Sequence, residues 1–250
     1  MPAKPARKRL DKLLVERGLA DSPQKAQAMI LAGEVRVAES RGEKAGQLVR
    51  ADAPIEIHSR QSKFASRGGL KLEGALEDFG LSPAGRLCAD IGSSTGGFTD
   101  CLLQRGARRV YAVDVTTDQL AWKLQQDPRV VPIKRNAREL SPADIPEPVD
   151  LVVVDVSFIS AVHVLAPAAS VARPGADILI MVKPQFELPR NQIPAGGVVR
   201  APYLHREAVQ RVKDAARSAG LEVLAMTPSR LPGAEGNLEF FLHLRRPAVK

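Results

Sequence analysis

The sequence contains few cysteines and no long hydrophobic run. Its 250 residues include only Cys88 and Cys101, which are too few for a disulfide framework or a thiolate zinc site. We therefore expect both to be small core residues, and we expect no metal site. The apolar runs are too short to span a bilayer, and the basic, amphipathic start of the chain lacks the continuous apolar core of a secretion signal. The expected location is the cytoplasm.

The composition is that of a folded protein with an uneven charge distribution. Hydrophobic residues make up 44% and charged residues 26% of the chain, and the formal net charge is +8, which excludes wholesale disorder. Residues 1–71 hold 15 of the 36 lysines and arginines but only 8 of the 28 acidic residues. This basic N-terminal part suits the phosphate backbone of a nucleic acid, although a solubilising surface would carry the same charge.

A glycine-rich stretch lies near the middle of the chain. Leu87 to Ile91 is a predicted buried strand, glycines follow at 92, 96 and 97, and a helical pattern begins at Phe98. Such a segment lets a ligand approach backbone N–H groups, although an ordinary turn has the same form. The loop departs from the dinucleotide fingerprint because Ser94 stands where its middle glycine would be. The next strand ends in Asp114, where a carboxylate suits the ribose of a nucleoside-containing cofactor.

Hydrophobic periodicity over the larger part of the chain predicts an α/β fold with a doubly wound, mostly parallel sheet of Rossmann-like type. An amphipathic helix is predicted over 70–80. The predicted strands are 87–91, 109–114, 130–134, 149–155 and 178–183, with helices near 97–105, 117–125, 159–172 and 202–219, and final strands at 222–227 and 237–244, the last of which could be antiparallel.

A small α+β domain is predicted ahead of the sheet. After a basic tail over 1–9, one helix begins at Leu10 and a second at Pro23, capped by Ser22, and short strands follow at 34–37 and 53–57. A polar stretch ending in Arg67-Gly68-Gly69 resembles a hinge. We therefore divide the chain into a small domain over 1–60, a linker over 61–69 and a large domain over 70–250.

Charged and polar side chains end several predicted strands of the large domain. Asp155 and Lys183 each finish an apolar strand, and Asn136 follows the third one. Open parallel sheets bind ligands outside their carboxyl ends, so these residues indicate a site rather than chance placement. Glu239 stands among aromatic residues and needs a buried partner or an exposed position. The segment 184–202 is either a substrate-facing loop or a plain connection.

The N-terminal segment resembles the alpha-L RNA-binding domain of a small-subunit ribosomal protein and several RNA-modifying enzymes. The resemblance is carried by residues 9–14 (RLDKLL), 22–27 (SPQKAQ) and 30–37 (ILAGEVRV). It implies contact with RNA through basic side chains. Those that we expect to contribute are Arg7, Lys8, Arg9, Lys12, Lys25, Arg36 and Arg67.

The large domain resembles the FtsJ-type RNA 2′-O-methyltransferases through residues 90–98 (DIGSSTGGF), 150–158 (DLVVVDVSF) and 182–187 (VKPQFE). Residues 66–72 (SRGGLKL), 196–200 (GGVVR) and 236–242 (GNLEFFL) resemble its TlyA, or haemolysin A, branch. Thr95 replaces a proline that is common in the wider superfamily, as it does in this branch. The resemblance implies S-adenosylmethionine as methyl donor and ribosomal RNA or ribosomal subunits as acceptor. It also implies a catalytic tetrad, namely Lys71, Asp155, Lys183 and Glu239.

Roles follow for the individual residues of the implied site. Lys183 would be the base, or the group that steers the ribose 2′-hydroxyl, because aligning the oxygen and removing its proton are the two needs of methyl transfer. Asp114 would bind the ribose hydroxyls of the donor, and Asn136 with Ala137 its adenine. The methionine end and the loop are assigned to Asp90, Gly92, Ser93, Gly96, Gly97 and Phe98. We expect only weak donor binding without RNA.

Three alternative functions stay open at this level. A non-catalytic RNA-binding or ribosome-assembly factor would keep the sheet without turnover, although all four tetrad positions are filled. A membrane-active protein would match the haemolysin name, but the sequence has no strongly apolar amphipathic segment. A nicotinamide oxidoreductase is disfavoured by the glycine spacing.

Overall fold

A computed structural model describes residues 7–31, 34–38, 40–41, 44, 46–57 and 63–248. The chain divides into two compact units, Met1–Ser62 and Lys63–Lys250. The small unit combines helices with short strands, and the large unit contains a seven-stranded sheet flanked by helices. The predicted α/β fold with a small N-terminal α+β domain is confirmed.

The small unit is built around the apolar faces of two helices. Leu10, Leu14 and Ile30 are almost completely buried there, together with Val35 and Val49 from the strands. The second helix begins after Ser22, whose Oγ accepts a hydrogen bond from the N–H of Lys25, as an N-cap does. The elements are α1 (Leu10–Glu16), α2 (Pro23–Leu31), β1 (Arg7–Arg9), β2 (Val35–Val37), β3 (Ser40–Arg41), β4 (Leu48–Arg50) and β5 (Ile55–Ile57).

The basic N-terminal segment differs from the predicted tail. Arg7–Arg9 form β1, which pairs antiparallel with β4, while residues 1–6 lie outside the described part of the chain. A run of lysine and arginine has no periodic apolar pattern, so the sequence did not show that this segment is a strand or that it pairs with β4, about 40 residues downstream. β3 and β4 were also missed, since strands of two or three residues are too short to show alternation.

The sheet of the large unit has the strand order β11-β12-β10-β9-β6-β7-β8. Neighbours from β10 to β8 run parallel, and β12 runs antiparallel to both β10 and β11. Two apolar layers cover its faces. The strands are β6 (Leu87–Ile91), β7 (Arg109–Asp114), β8 (Val130–Lys134), β9 (Val149–Val154), β10 (Ala172–Val182), β11 (Glu222–Pro228) and β12 (Phe240–Arg245).

The helices of the large unit alternate with these strands. They are α3 (Gly68–Asp78), α4 (Gly97–Gln104), α5 (Trp122–Gln125), α6 (Leu165–Val171), α7 (Pro184–Glu187) and α8 (Pro202–Ser218). Short 3-10 turns cover Thr117–Gln119, Ala137–Glu139, Ala161–Val164 and Arg190–Gln192.

The strand order reverses between β6 and β9, and this switch point positions the site. The chain leaves β6 toward β7 and leaves β9 toward β10, on opposite sides, so a crevice opens between their carboxyl ends. Gly92 and Asp155 follow these two strands directly. The N–H of Asp155 donates to the carbonyl of Ile91 over 3.0 Å, which holds the two strand ends together.

The second half of the predicted linker packs inside the large unit. Phe64 is 2% exposed and lies in the core beside α3 and α4, and the N–H of Ala65 donates to Asp100 over 2.7 Å. Helix α3 begins at Gly68, two residues before the predicted start. Glycine and serine are typical of hinges, but here Gly69 is required because a Cβ would collide with the ring of Phe64.

Three connections differ from the predicted continuous elements. The segment 117–125 is split because Leu120 is extended, which lets the N–H of Ala121 donate to Thr95. The segment 159–172 is split into a 3-10 turn and α6. The segment 184–202 is not a plain connection, because it contains α7 and its Leu188 and Val199 pack against α8; its contact with the substrate stays a prediction.

Candidate functional site

The glycine loop is shaped by backbone conformations that other residues rarely adopt. Gly92 and Gly96 have φ angles of +87° and +90°, in the region that glycine tolerates. A Cβ at Gly92 would collide with the backbone oxygen of Asp155, and one at Gly96 would collide with Leu124. At Gly97 it would collide with Ser66. The loop therefore fits closely between β9, α5 and the segment before α3.

Two connected chambers open above the carboxyl ends of the strands. The first encloses about 240 Å³ and is lined by the loop together with Ser66, Arg67 and Lys71. The second encloses about 540 Å³ and extends over the ends of β7 and β8. The residues that line both chambers are Gly92, Ser94, Asp155 and Ser157. Together the chambers form one cleft, which we call the carboxyl-edge cleft.

The second chamber contains the predicted ribose and adenine residues. Asp114 lies at the end of β7 and accepts a hydrogen bond from the N–H of Ser94 over 2.9 Å. Asn136 and Ala137 line the chamber beyond β8. The Asn136 side chain accepts from the N–H of Arg138 and so caps the 3-10 turn that follows. The Asp114 carboxylate thus contacts the glycine loop on this side of the cleft.

The first chamber contains Ser93, Gly97 and Phe98, whereas Asp90 lies beneath it. Asp90 is fully buried and accepts a hydrogen bond from Thr99 Oγ1 over 2.7 Å. Burial raises the pKa of Asp90 to about 7, because a low-dielectric site disfavours the charged carboxylate. Ser93 is 4% exposed, and its Oγ has no partner within the described ranges. A buried hydroxyl of this kind is suited to a polar ligand group.

The first pair of the predicted tetrad joins α3 to the start of β12. Lys71 Nζ lies 2.6 Å from Glu239 Oε2, and the two side chains are 11% and 4% exposed. Glu239 precedes β12 rather than lying inside it, so its carboxylate can turn toward α3. Gly233 packs against the same carboxylate so closely that a Cβ there would collide with Oε1. This answers the sequence question about Glu239: it has a buried partner.

The second pair joins the ends of β9 and β10. Lys183 Nζ lies 2.5 Å from Asp155 Oδ1 and donates to Ser157 Oγ over 2.9 Å. The Lys183 side chain is 10% exposed and that of Asp155 is 22% exposed; Asp155 lines both chambers of the cleft, and Lys183 contacts it there. The sequence prediction of charges at adjacent strand ends is consistent with this placement.

The two pairs lie at the same edge of the sheet. Val182 of β10 pairs with Phe240 of the antiparallel strand β12. Lys183 follows Val182 and Glu239 precedes Phe240, so both charged residues lie at the same end of this strand pair. Lys71 and Asp155 both line the first chamber. The lysine of the first pair and the carboxylate of the second are therefore available beside the glycine loop, an arrangement that can hold an acceptor hydroxyl and accept its proton.

Sequence reasoning missed several residues that line the cleft, of which two bear on its chemistry. Ser157 contacts Lys183 and lines both chambers, and Phe158 lines the second chamber with 88% of its side chain exposed. Phe158 also has a φ angle of +66°, which is rare for a bulky residue. An aromatic residue soon after a strand-ending aspartate was the signal that could have pointed to it. Arg67, predicted to contact RNA, lines the first chamber.

The predicted RNA-contacting residues of the small unit are all exposed: Arg7, Lys8, Arg9, Lys12, Lys25 and Arg36. Lys8 pairs with Glu16 and Arg9 with Asp11. The Arg9 guanidinium lowers the pKa of Asp11 to about 2. Part of the positive charge is thus balanced within the unit.

Three further observations concern membrane spanning, metal binding and the two cysteines. None of the helices in the described ranges is long and apolar enough to cross a membrane. The same residues contain no group of three or more histidine, cysteine or acidic side chains that could hold a metal ion. Cys88 and Cys101 are buried free thiols, as expected.

Comparison with known proteins connects this geometry to a family. The model of the FtsJ-like methyltransferase family matches residues 64–246, and that of the S4 domain matches residues 8–55. The chain is 46% identical over 241 residues to the 16S/23S rRNA (cytidine-2′-O)-methyltransferase TlyA of Mycobacterium tuberculosis, covering 96% of this chain and 90% of that protein. It is 37% identical to Hemolysin A of Brachyspira hyodysenteriae, covering 94% and 98%.

Among solved structures, one from Streptococcus thermophilus that carries the hemolysin name is 38% identical, with a TM-score of 0.76 and coverage of 98% of this chain and 90% of that one. These matches include both units, and the S4 match falls on the segment that resembles the alpha-L RNA-binding domain. The chain therefore belongs to the FtsJ-like methyltransferase family, in the TlyA, or hemolysin A, branch that also carries an S4 domain.

Proposed function

We propose that this protein transfers a methyl group from S-adenosylmethionine to a ribose 2′-hydroxyl of ribosomal RNA. The observation that carries the proposal is that Lys71 and Asp155, one residue from each lysine–carboxylate pair, line the chamber formed by the glycine loop of a methyltransferase sheet. The Mycobacterium tuberculosis relative, named as a ribosomal RNA (cytidine-2′-O)-methyltransferase, aligns with 96% of this chain, which has both the FtsJ-like and the S4 match.

The carboxyl-edge cleft fits the proposed donor in the chemistry of its lining. Asp114 would accept hydrogen bonds from the ribose hydroxyls, and Asn136 with Ala137 would contact the adenine in the second chamber. Ser93, with its unpartnered buried hydroxyl, would contact the polar methionine end beside Gly92 and Gly97. The underlying Asp90 would support the loop through Thr99 rather than contact the donor.

Methyl transfer is an in-line displacement on carbon, so the main task of the protein is alignment. When bound, S-adenosylmethionine supplies an electrophilic methyl group attached to a sulfonium. The oxygen of the ribose hydroxyl forms the new bond to that carbon while the carbon–sulfur bond breaks, and the hydroxyl proton must leave. Lys183 would hold the hydroxyl, with Asp155 and Ser157 fixing its Nζ, and the pair Lys71–Glu239 would lie at the same edge of the sheet.

Two roles for Lys183 can be separated by substitution. A base must be able to release and accept a proton, whereas a steering group only donates a hydrogen bond. Lys183→Arg keeps a permanently protonated donor at this position. Partial activity in Lys183→Arg would assign the steering role. Activity as low as in Lys183→Ala would assign the role of base.

The acceptor would be bound by both units. The exposed basic residues of the S4 domain suit the phosphate backbone. Phe158 presents an exposed aromatic face at the second chamber, and unpaired RNA bases stack on such faces. We further propose that the substrates are ribosomal subunits and that the protein acts on them in the cytoplasm.

We also propose that the linker between the two domains ends at Phe64, because the side chain of Phe64 packs in the core of the large unit.

The position of the methyl group on the nucleotide tests the proposal. RNA labelled from S-adenosylmethionine would be hydrolysed in alkali, which cleaves next to a free 2′-hydroxyl only. We expect the label in alkali-resistant dinucleotides, because a methylated 2′-oxygen cannot attack the neighbouring phosphate. Label in mononucleotides would mean base methylation and would contradict the proposal.

A further inference from the structure

Glu187 is a buried carboxylate that has no place in the proposed chemistry. It ends α7, the four-residue helix that begins directly after Lys183, and it is 2% exposed. It lines neither chamber of the cleft. Burial raises the pKa of its carboxyl group, so placing it here has an energetic cost that the fold must offset.

Both oxygens of Glu187 bind one loop. Oε1 accepts a hydrogen bond from the N–H of Ala161 over 2.7 Å, and Oε2 accepts one from Ser160 Oγ over 2.5 Å. These residues lie 26 and 27 positions earlier in the chain. The carboxylate therefore connects the segment after Lys183 to the segment after Asp155.

The connected loop, residues 155–161, lines the carboxyl-edge cleft with five consecutive residues, 155–159, among them Asp155, Ser157 and Phe158. At its start, the N–H of Asp155 donates to β6. Between its ends, Phe158 has a φ angle of +66°, a conformation that persists only where the surroundings impose it. The Phe158 ring has a neighbour in Phe186, with 5.6 Å between ring centroids, and Phe186 directly precedes Glu187.

We infer that Glu187 is a positioning residue that holds the loop 155–161 in the form needed to bind the acceptor nucleotide. Glu187 fixes the far end of the loop, and so fixes the direction of Phe158 and the contact of Ser157 with Lys183. The inference rests on the proposed function, because the acceptor is the RNA proposed above. It adds a residue that acts through the loop rather than by touching the reactants.

The test compares Glu187→Ala with Glu187→Gln in the full-length protein. Glutamine can still accept from Ala161 with its carbonyl and donate to Ser160 with its amide, so it should largely restore the loop. Glu207→Ala is the control, since Glu207 is an exposed glutamate on α8. Ser160→Ala removes only one of the two hydrogen bonds and is the milder variant if Glu187→Ala does not fold.

The first readout is hydrogen–deuterium exchange of peptides covering 155–161, measured without RNA. We expect at least several-fold faster exchange in Glu187→Ala, an intermediate effect in Ser160→Ala, and near-parental exchange in Glu187→Gln and Glu207→Ala. Unchanged exchange in this loop for Glu187→Ala and Ser160→Ala would overturn the inference. This readout does not depend on methyl transfer, so it remains informative if the proposed function fails.

The second readout is methyl transfer to ribosomal subunits, expressed per donor site counted by S-adenosylmethionine titration. We expect Glu187→Ala to raise KM for RNA and lower kcat/KM at least tenfold, with recovery in Glu187→Gln. A purely structural role would only reduce the number of competent sites, leaving KM and the rate per site unchanged, and that result would contradict the inference. Absence of transfer by the parent protein would instead contradict the proposed function.

Discussion

The buried pair Lys71–Glu239 gives a prediction whose size follows from the structure. At 2.6 Å, with an effective dielectric constant of about 20, the attraction between the two charges is about 6 kcal/mol. Desolvation of both groups offsets much of it, but a single substitution leaves the other charge buried without its partner. We therefore expect Glu239→Gln and Lys71→Met each to lower the free energy of unfolding by about 3–5 kcal/mol.

The double variant Lys71→Met/Glu239→Gln leaves no unpaired charge. We expect it to lose much less than the two single losses combined, with a coupling free energy of at least about 2 kcal/mol. Urea denaturation of the four proteins measures this cycle. Lys63→Met is the matched control, because Lys63 pairs with Glu73 at the same distance of 2.6 Å but is 55% exposed, and it should cost about 1 kcal/mol or less. Additive losses, or single losses no larger than that of the control, would refute the reasoning.

Three further predictions concern the glycine loop. Gly92→Ala should abolish donor binding measured by calorimetry, because its Cβ would collide with the backbone of Asp155 at a φ of +87°; parental affinity would contradict this. Asp114→Ala should weaken donor binding about 10- to 100-fold, since a hydrogen bond to a charged group contributes about 1.5–3 kcal/mol, and an effect below about twofold would contradict the ribose assignment. Because the pKa of Asp90 is raised from 3.8 to about 7, its contribution to stability is full below about pH 4 and is lost as the pH rises through 7. The free energy of unfolding of Asp90→Asn should therefore exceed that of the parent at pH 8, by up to about 4 kcal/mol, and the difference should be smaller at pH 5. Thermal unfolding of both proteins at the two pH values measures this difference. A difference that does not change with pH would refute the prediction.

The parallel core of the fold could be predicted from the sequence because its signals are local. Five apolar runs predicted strands β6 to β10, and the glycines at 92, 96 and 97 predicted the loop after β6. Strand-end charges indicated the edge at which Asp155 and Lys183 pair. The parts that were missed depend on distant partners, such as the pairing of β1 with β4 or the burial of Phe64 against α3 and α4.

The details of the site were less predictable for a similar reason. Which lysine pairs with which carboxylate depends on the turn of the chain before β12, where Glu239 faces α3. The exposed Phe158 and the buried Glu187 have no periodic signal, because their roles come from one loop conformation and one pair of long-range hydrogen bonds. Asp90 borders the glycines in sequence, but it is fully buried and lines neither chamber, which the sequence did not show.

The most direct test of the account measures donor binding and methyl transfer on the same preparations of the parent and Lys183→Ala. Binding of S-adenosylmethionine would be followed by calorimetry, and transfer by label incorporated into separated ribosomal subunits and naked ribosomal RNA. The account predicts that Lys183→Ala binds the donor with an affinity within about threefold of the parent, since Lys183 contacts Asp155 and Ser157 rather than the loop, but transfers no label. Full transfer by Lys183→Ala would contradict the central claim that this lysine acts on the 2′-hydroxyl.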